Sequence, residues 1–84
     1  MAWTVYLLRC NGGSLYTGIT NDLRRRLAAH RAGTASAYTR SRRPVRLAYR
    51  ETQPDRGAAL CREAAIKRLP REGKLVLVRT GKGR

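Results

Sequence analysis

The sequence predicts an α+β fold with the element order ββαβα and one further element at the C-terminal end. Three observations predict it. Two short runs rich in β-branched and aromatic residues flank a Gly-Gly turn. Two later stretches carry helix-starting residues ahead of apolar positions about one turn apart. Between those stretches, residues 45–51 (VRLAYRE) alternate apolar and polar side chains, the period of a half-buried strand.

Residues 3–9 (WTVYLLR) make the first strand. Asn11, Gly12 and Gly13 supply the turn, and residues 14–18 (SLYTG) resume the extended pattern. Gly18 marks a place where the backbone passes something closely. Thr20, Asn21 and Asp22 are all N-cap residue types, Leu23 and Leu27 lie one turn apart, and Gly33 is a stop, which predicts a helix over about residues 22–31. Residues 32–44 are small, polar and basic and read as a loop. Pro54 suits the first turn of a second helix. That helix runs over residues 55–69, with Ala58, Cys61, Ala65 and Leu69 on its apolar face, and ends before Pro70. The stretch REGKLVLVRT is open: its LVLV run favours a strand, and its length allows a short helix. The expected organisation is one domain over residues 1–80 and a flexible basic tail over residues 81–84.

A chain of 84 residues allows one domain with a modest core. Its 42% hydrophobic content excludes a disordered basic tail. Phe is absent, so the core must rest on Leu, Val, Ala, Tyr and Trp3. Nineteen Lys and Arg against five Asp and Glu give a formal net charge of +14. Such a field calls for a polyanion, and nucleic acid is the partner expected. Cys10 and Cys61 lack metal-ligand spacing and read as two buried small apolar side chains. No segment approaches the roughly 20 apolar residues of a membrane span, and the N-terminus lacks a signal-peptide pattern. A cytoplasmic protein with no membrane partner is expected.

Phosphodiester cleavage needs a proton acceptor for water, positive charge at the phosphate, and stabilisation of the leaving oxygen. Carboxylates are scarce. Asp22 reads as a cap, Glu51 ends a strand, and Asp55 and Glu72 sit near helix starts. Glu63 alone lies mid-helix at the border of the apolar face, either as a metal ligand or as the i,i+4 partner of Lys67. Arg26 lies beside the apolar face of its helix, facing either a phosphate or Asp22. Tyr6 and Tyr16 stand on the two hairpin strands as candidate neighbours, or as plain packed aromatics. A phenol acts as a base near neutrality only where cations lower its pKa from about 10. His30 reads either as a group that orients water or phosphate, or as a helix-surface residue without a role.

Together these residues resemble the GIY-YIG nuclease superfamily. Val5-Tyr6-Leu7 stands at the first tripeptide and Tyr16-Thr17-Gly18 at the second, about ten residues on. The run TGITNDLRRRLAAH matches the segment that follows, and REAAIKRLPREGKL the later one. The segment AYTRSRRPVRLAYRE looks like the small stand-alone branch of the superfamily. Val5, Leu7 and Thr17 depart from the literal tripeptides, but they are apolar or β-branched and leave both tyrosines in place. The resemblance implies a small three-stranded antiparallel sheet flanked by helices, and it turns REGKLVLV into a short third helix. It implies a DNA endonuclease, structure-selective and linked to repair or recombination. Glu63 would hold one divalent cation, Mg²⁺ or Mn²⁺. Tyr16 would be the general base or orient the water, and Arg26 would stabilise the phosphate. Tyr6 and His30 would support the site. Arg24, Arg25, Arg40, Arg42, Arg43 and Lys67 are the candidate contacts to nucleic acid. Relatives with defined targets carry further domains, so target choice here is expected from the basic loop, from shape, or from a protein partner. The alternatives are a non-catalytic nucleic-acid-binding module and a structural protein of a ribonucleoprotein.

Overall fold

The computed structural model of the chain describes residues 2–81. Its elements are β1 (Trp3–Arg9), β2 (Leu15–Thr20), α1 (Leu23–Ala32), α2 (Ala37–Arg40), β3 (Arg46–Gln53), α3 (Arg56–Arg68) and α4 (Arg71–Thr80). The strands form one antiparallel sheet in the order β2-β1-β3. The most apolar strand, β1, takes the centre, and Val5, Tyr6, Leu7 and Leu8 are all buried.

Successive side chains of β1 serve two cores. Val5 and Leu7 pack with Tyr49, Ala59 and Ile66 and against Leu77 and Val78, so α3 and α4 cover that face. Tyr6 and Leu8 pack with Cys10 and Val45 and against Leu23 and Leu27, so α1 covers the other. A bulge joins the two. Leu7 pairs with Tyr49 but Leu8 with Leu47, leaving Ala48 as an extra residue in β3. Leu47 therefore joins the core under α1, and Tyr49 the core under α3 and α4.

The helix ends follow from local chemistry. The Asp22 side chain accepts from the Arg25 amide, and Gly33 closes α1 with φ 84°. The Asp55 side chain accepts from the Ala58 amide. Asp55 is thus the N-cap of α3, and Pro54 stands before the helix rather than in its first turn. The last element is helical, as the resemblance implied. In that form Leu77 and Val78 reach the Val5–Leu7 core, and tertiary burial overrides the strand preference of LVLV.

Three further expectations need correction. Residues 32–44 are not all loop: α2 forms there because the Ser36 side chain caps it at the Thr39 amide and Thr39 is buried. The buried stripe of α3 is Ala59 and Ile66, not Ala58, Cys61, Ala65 and Leu69. Cys61 is accordingly exposed, while Cys10 is buried as expected. Gly81, assigned to the tail, is buried: its amide donates to the Leu77 carbonyl (2.7 Å), and a side chain there would overlap the Tyr49 ring. The rest of that expected tail, residues 82–84, lies outside the described residues.

Candidate active site

The site forms where β1, β2, α1 and α2 meet. Tyr6 is buried on the α1 face of the sheet, and its partner across β2 is Gly18, not Tyr16. Gly18 is needed there: a Cβ on it would sit 2.5 Å from the Tyr6 hydroxyl oxygen. This is the close approach that an isolated glycine in a strand signals. Tyr16 pairs with Leu8, so the two tyrosines are diagonal neighbours rather than directly opposed.

His30 joins them. It is fully buried, not a helix-surface residue, because α1 turns it toward the sheet one turn after Leu27. Its Nε2 lies 2.9 Å from the Tyr6 hydroxyl and its Nδ1 2.8 Å from Thr39 Oγ1. Its ring meets Tyr16 edge-on, with centroids 5.2 Å apart. Burial, and then the charge of Arg26, hold the His30 pKa below its ordinary value. Burial pushes the Tyr6 phenol up. The neighbouring Arg26 guanidinium pulls it down but is outweighed, and Tyr16 and Glu63 raise it further. Both members of the Tyr6–His30 pair are therefore neutral near pH 7.

Arg26 supplies the positive charge. Its Nε is buried with no hydrogen-bond partner within the protein. A guanidinium held beside a phenol with a donor left over can take a water or an anion. With Arg25, it borders a cleft of about 460 Å³ that Thr20, Asn21, Asp22 and Ala29 also line. The alternative Asp22 contact is made only by backbone, the Arg26 amide donating to the Asp22 carbonyl (3.0 Å).

Glu63 lies on the sheet-facing side of α3, one turn from both Ala59 and Ile66. Its Oε2 is 3.4 Å from Lys67 Nζ, so the i,i+4 pair is formed. It reaches the tyrosine cluster through its charge, felt at Tyr6, rather than through a hydrogen bond. Among the described residues no three His, Cys, Asp or Glu side chains cluster as metal ligands. A cation here would rest on the Glu63 carboxylate and take its other ligands from water and phosphate. Mg²⁺ accepts that arrangement, and the Lys67 side chain is exposed enough to move aside. The donor set fits one divalent ion.

The candidate nucleic-acid contacts separate into two groups. Arg24 and Arg25 are exposed on α1, and Arg40, Arg42 and Arg43 belong to α2 and the turn after it. The Arg43 guanidinium and the Arg40 side chain lie against Gly33, which brings this second set to the end of α1. Lys67 stands on α3, on the other face of the sheet, paired to Glu63.

Sequence reasoning missed two features. Ser36 and Thr39 secure His30, and nothing in a small polar loop distinguished them. Glu51, read as a strand end, is a buried carboxylate. It accepts from the Tyr49 hydroxyl, from Gln53 Nε2 (2.6 Å) and from Arg62 Nε (2.8 Å). Burial alone would raise its pKa, but these donors together hold it below its ordinary value. Its place two residues beyond Tyr49 in an alternating strand was the available signal.

The chain is similar to known proteins along most of its length. Residues 2–75 match the family model described as the GIY-YIG catalytic domain. A UPF0213 protein of Xanthomonas axonopodis pv. citri is 52% identical over 73 residues, 87% of this chain and 72% of that one. A UPF0213 protein of Desulfotalea psychrophila is 52% identical over 79 residues, 93% of this chain and 72% of its own. The solution structure of a UPF0213 protein from Bacillus halodurans has a TM-score of 0.60 and 41% identity, covering 93% of this chain and 83% of that one. Among the described residues no helix is long and apolar enough to cross a membrane. The sheet, its helices and the match across most of the chain make this protein a member of the GIY-YIG family, which points to a nuclease and to nucleic acid as its substrate.

Proposed function

We propose that the protein is a divalent-metal-dependent endonuclease that hydrolyses phosphodiester bonds in DNA, with a structure-selective role in cytoplasmic repair or recombination. The observation that carries this reading is the partnerless, buried Nε of Arg26 beside the Tyr6–His30 pair. A phosphate oxygen would satisfy that donor. Tyr6 and His30 hold the wall behind it, and Tyr16, packed on His30, stands half-buried next to them.

In this reading water attacks phosphorus in line with the leaving 3′ oxygen. The proton lost by water passes to the Tyr16 oxygen acting as phenolate, or to bulk water where Tyr16 only orients the nucleophile. The bond from phosphorus to the 3′ oxygen breaks, leaving a 5′ phosphate and a 3′ oxygen that takes a proton from solvent to become the 3′ hydroxyl. Arg26 offsets the charge that builds on the phosphate oxygens. Glu63 would hold Mg²⁺ or Mn²⁺, which supplies the charge that stabilises the leaving oxygen. Arg24, Arg25, Arg40 and Arg43 supply the positive surface that the backbone follows. A protein partner remains part of the proposal, as a source of target choice.

One observation favours a second reading. The Glu63 carboxylate is already paired with Lys67, as expected for a non-catalytic nucleic-acid-binding module of the same fold. Cleavage of a panel of supercoiled, single-stranded, flapped and four-way DNA with Mg²⁺, Mn²⁺ or EDTA separates the two. Wild type is expected to cut only with metal, and Glu63→Gln and Arg26→Ala to lose cutting while still binding. Salt-sensitive binding without cutting under either metal would leave the binding module.

A further inference from the structure

The nucleic-acid face carries one arginine whose guanidinium is held over an aromatic ring. A guanidinium that grips phosphate turns its N–H edge to the anion. Arg42 instead sits over an aromatic ring, its Cζ 3.8 Å from the centre of the Tyr38 ring. Its Nη1 is tied to the Tyr38 carbonyl (3.1 Å) and to the Ser41 hydroxyl (3.2 Å). No carboxylate pairs with it among the described residues. Tyr38 is one of the few large hydrophobic side chains left exposed, at 38%. Its ring also stacks at a 30° tilt on Tyr16, 5.7 Å away, and Tyr16 in turn meets buried His30. Four planar groups thus run from the buried site to the surface in the order His30, Tyr16, Tyr38, Arg42. The series is anchored at both ends. Thr39, next in sequence to Tyr38, is fully buried and bonded to His30, so α2 cannot shift without disturbing the site.

A weakly hydrated planar cation backed by an aromatic ring suits a nucleobase face. A base inside a duplex has no free face to offer, whereas an unpaired base does. We propose that the Tyr38–Arg42 pair is a stacking site for one unpaired nucleobase, set beside the candidate phosphate site. The proposal rests on the nucleic-acid reading above. It moves Arg42 from the phosphate contacts to base recognition, and it makes strands with an unpaired nucleotide the preferred class of ligand.

Binding measured in EDTA tests it without relying on cleavage. Fluorescence anisotropy would follow an unstructured single-stranded oligonucleotide, the same oligonucleotide with abasic sites, and a duplex of equal length. Wild type, Tyr38→Ala, Tyr38→Trp and Arg42→Lys would be compared after circular dichroism shows that each is folded. Tyr38→Ala and Arg42→Lys are expected to weaken single-strand binding about tenfold and to leave duplex binding within about twofold. Tyr38→Trp should bind single strands like wild type, and wild type should hold the abasic strand about as weakly as Tyr38→Ala holds the normal one. Equal losses on both ligands, or Arg42→Lys indistinguishable from wild type, would overturn the stacking site. Wild type that binds none of the three would instead remove the nucleic-acid reading beneath it.

Discussion

The Tyr6 hydroxyl oxygen lies 2.9 Å from His30 Nε2, a buried hydrogen bond that couples the phenol to the imidazole tautomer. In the arrangement expected, the phenol's hydrogen points to Nε2 and its oxygen lone pairs are left to the charge of Arg26. The imidazole then carries its proton on Nδ1 and donates it to Thr39 Oγ1. Thr39→Val keeps the shape and removes that acceptor, leaving a buried N–H without a partner. It is expected to cost about 1–3 kcal/mol of stability. It should also lower cleavage by about 10- to 100-fold, as when a histidine loses the partner that orients it. Thr39→Ser should recover most of both. Nitrogen shifts of the His30 ring by NMR check the tautomer directly: Nδ1 protonated in wild type and in Thr39→Ser, mixed in Thr39→Val.

Gly18 and Tyr6 form a second linked pair. A Cβ at Gly18 would come 2.6 Å from the Tyr6 ring carbon that bears the hydroxyl. Gly18→Ala therefore displaces the phenol from His30. The expected cost is about 1–3 kcal/mol, read from urea unfolding, with cleavage lost before the fold is. Wild-type activity in a stable Gly18→Ala variant would show that the Tyr6–His30 bond is dispensable.

Two buried groups make stability fall with pH in separate windows. Below 6.5, the ordinary histidine value, the unfolded chain binds a proton that folded His30 resists. The unfolded state then holds more protons, so unfolding becomes easier as pH falls. Below 4.5 the same sign applies to Glu51, whose folded carboxylate stays ionised longer than the unfolded one. Its contribution is complete above that value and is lost as pH drops through the depressed folded pKa. Denaturant titrations across this range should show two steps, the first flattened in His30→Gln and the second in Glu51→Gln.

Arg40 and Arg43 are the proposed phosphate contacts, expected to set the salt dependence of binding. Replacing both with Ala should flatten the log–log slope of affinity against salt by about two units, since each neutralised phosphate contributes about 0.9. Arg42→Lys should leave that slope unchanged. Salt titrations of duplex binding give both values.

Element types were legible in the sequence because local signals agreed with the fold. Asp22 and Asp55 are caps, Gly33 is a left-handed stop, and Gly18 is a close approach. What local pattern could not carry was long-range. Val45, Leu47, Tyr49 and Glu51 alternate perfectly, yet the bulge at Ala48 divides them between two cores. The stripe on α3 was misread by one position, since Ala, Cys and Leu occur all around that helix and only packing chooses the face. His30 is buried because Thr39, nine residues later, satisfies its second nitrogen, and α2 had no apolar run to announce it. Tyr6, Tyr16, Arg26 and His30 stand out as candidates by residue type and position, and the resemblance implies their roles. That Tyr6 faces Gly18 rather than Tyr16 required the strand register.

Each of the five acidic residues has local work. Asp22 and Asp55 cap helices, Glu51 holds Tyr49, Gln53 and Arg62, Glu63 holds Lys67, and Glu72 sits in the first turn of α4. Few of the nineteen Lys and Arg are therefore neutralised from within. The folded chain behaves as a compact polyelectrolyte that strains against its own charge and relies on a counterion atmosphere. Salt then acts on it in two opposed directions. It is expected to screen the repulsion and raise the melting temperature, and to weaken the counterion release on which binding to a nucleic acid would draw. Ionic strength that makes the protein most durable is ionic strength at which it holds its ligand least.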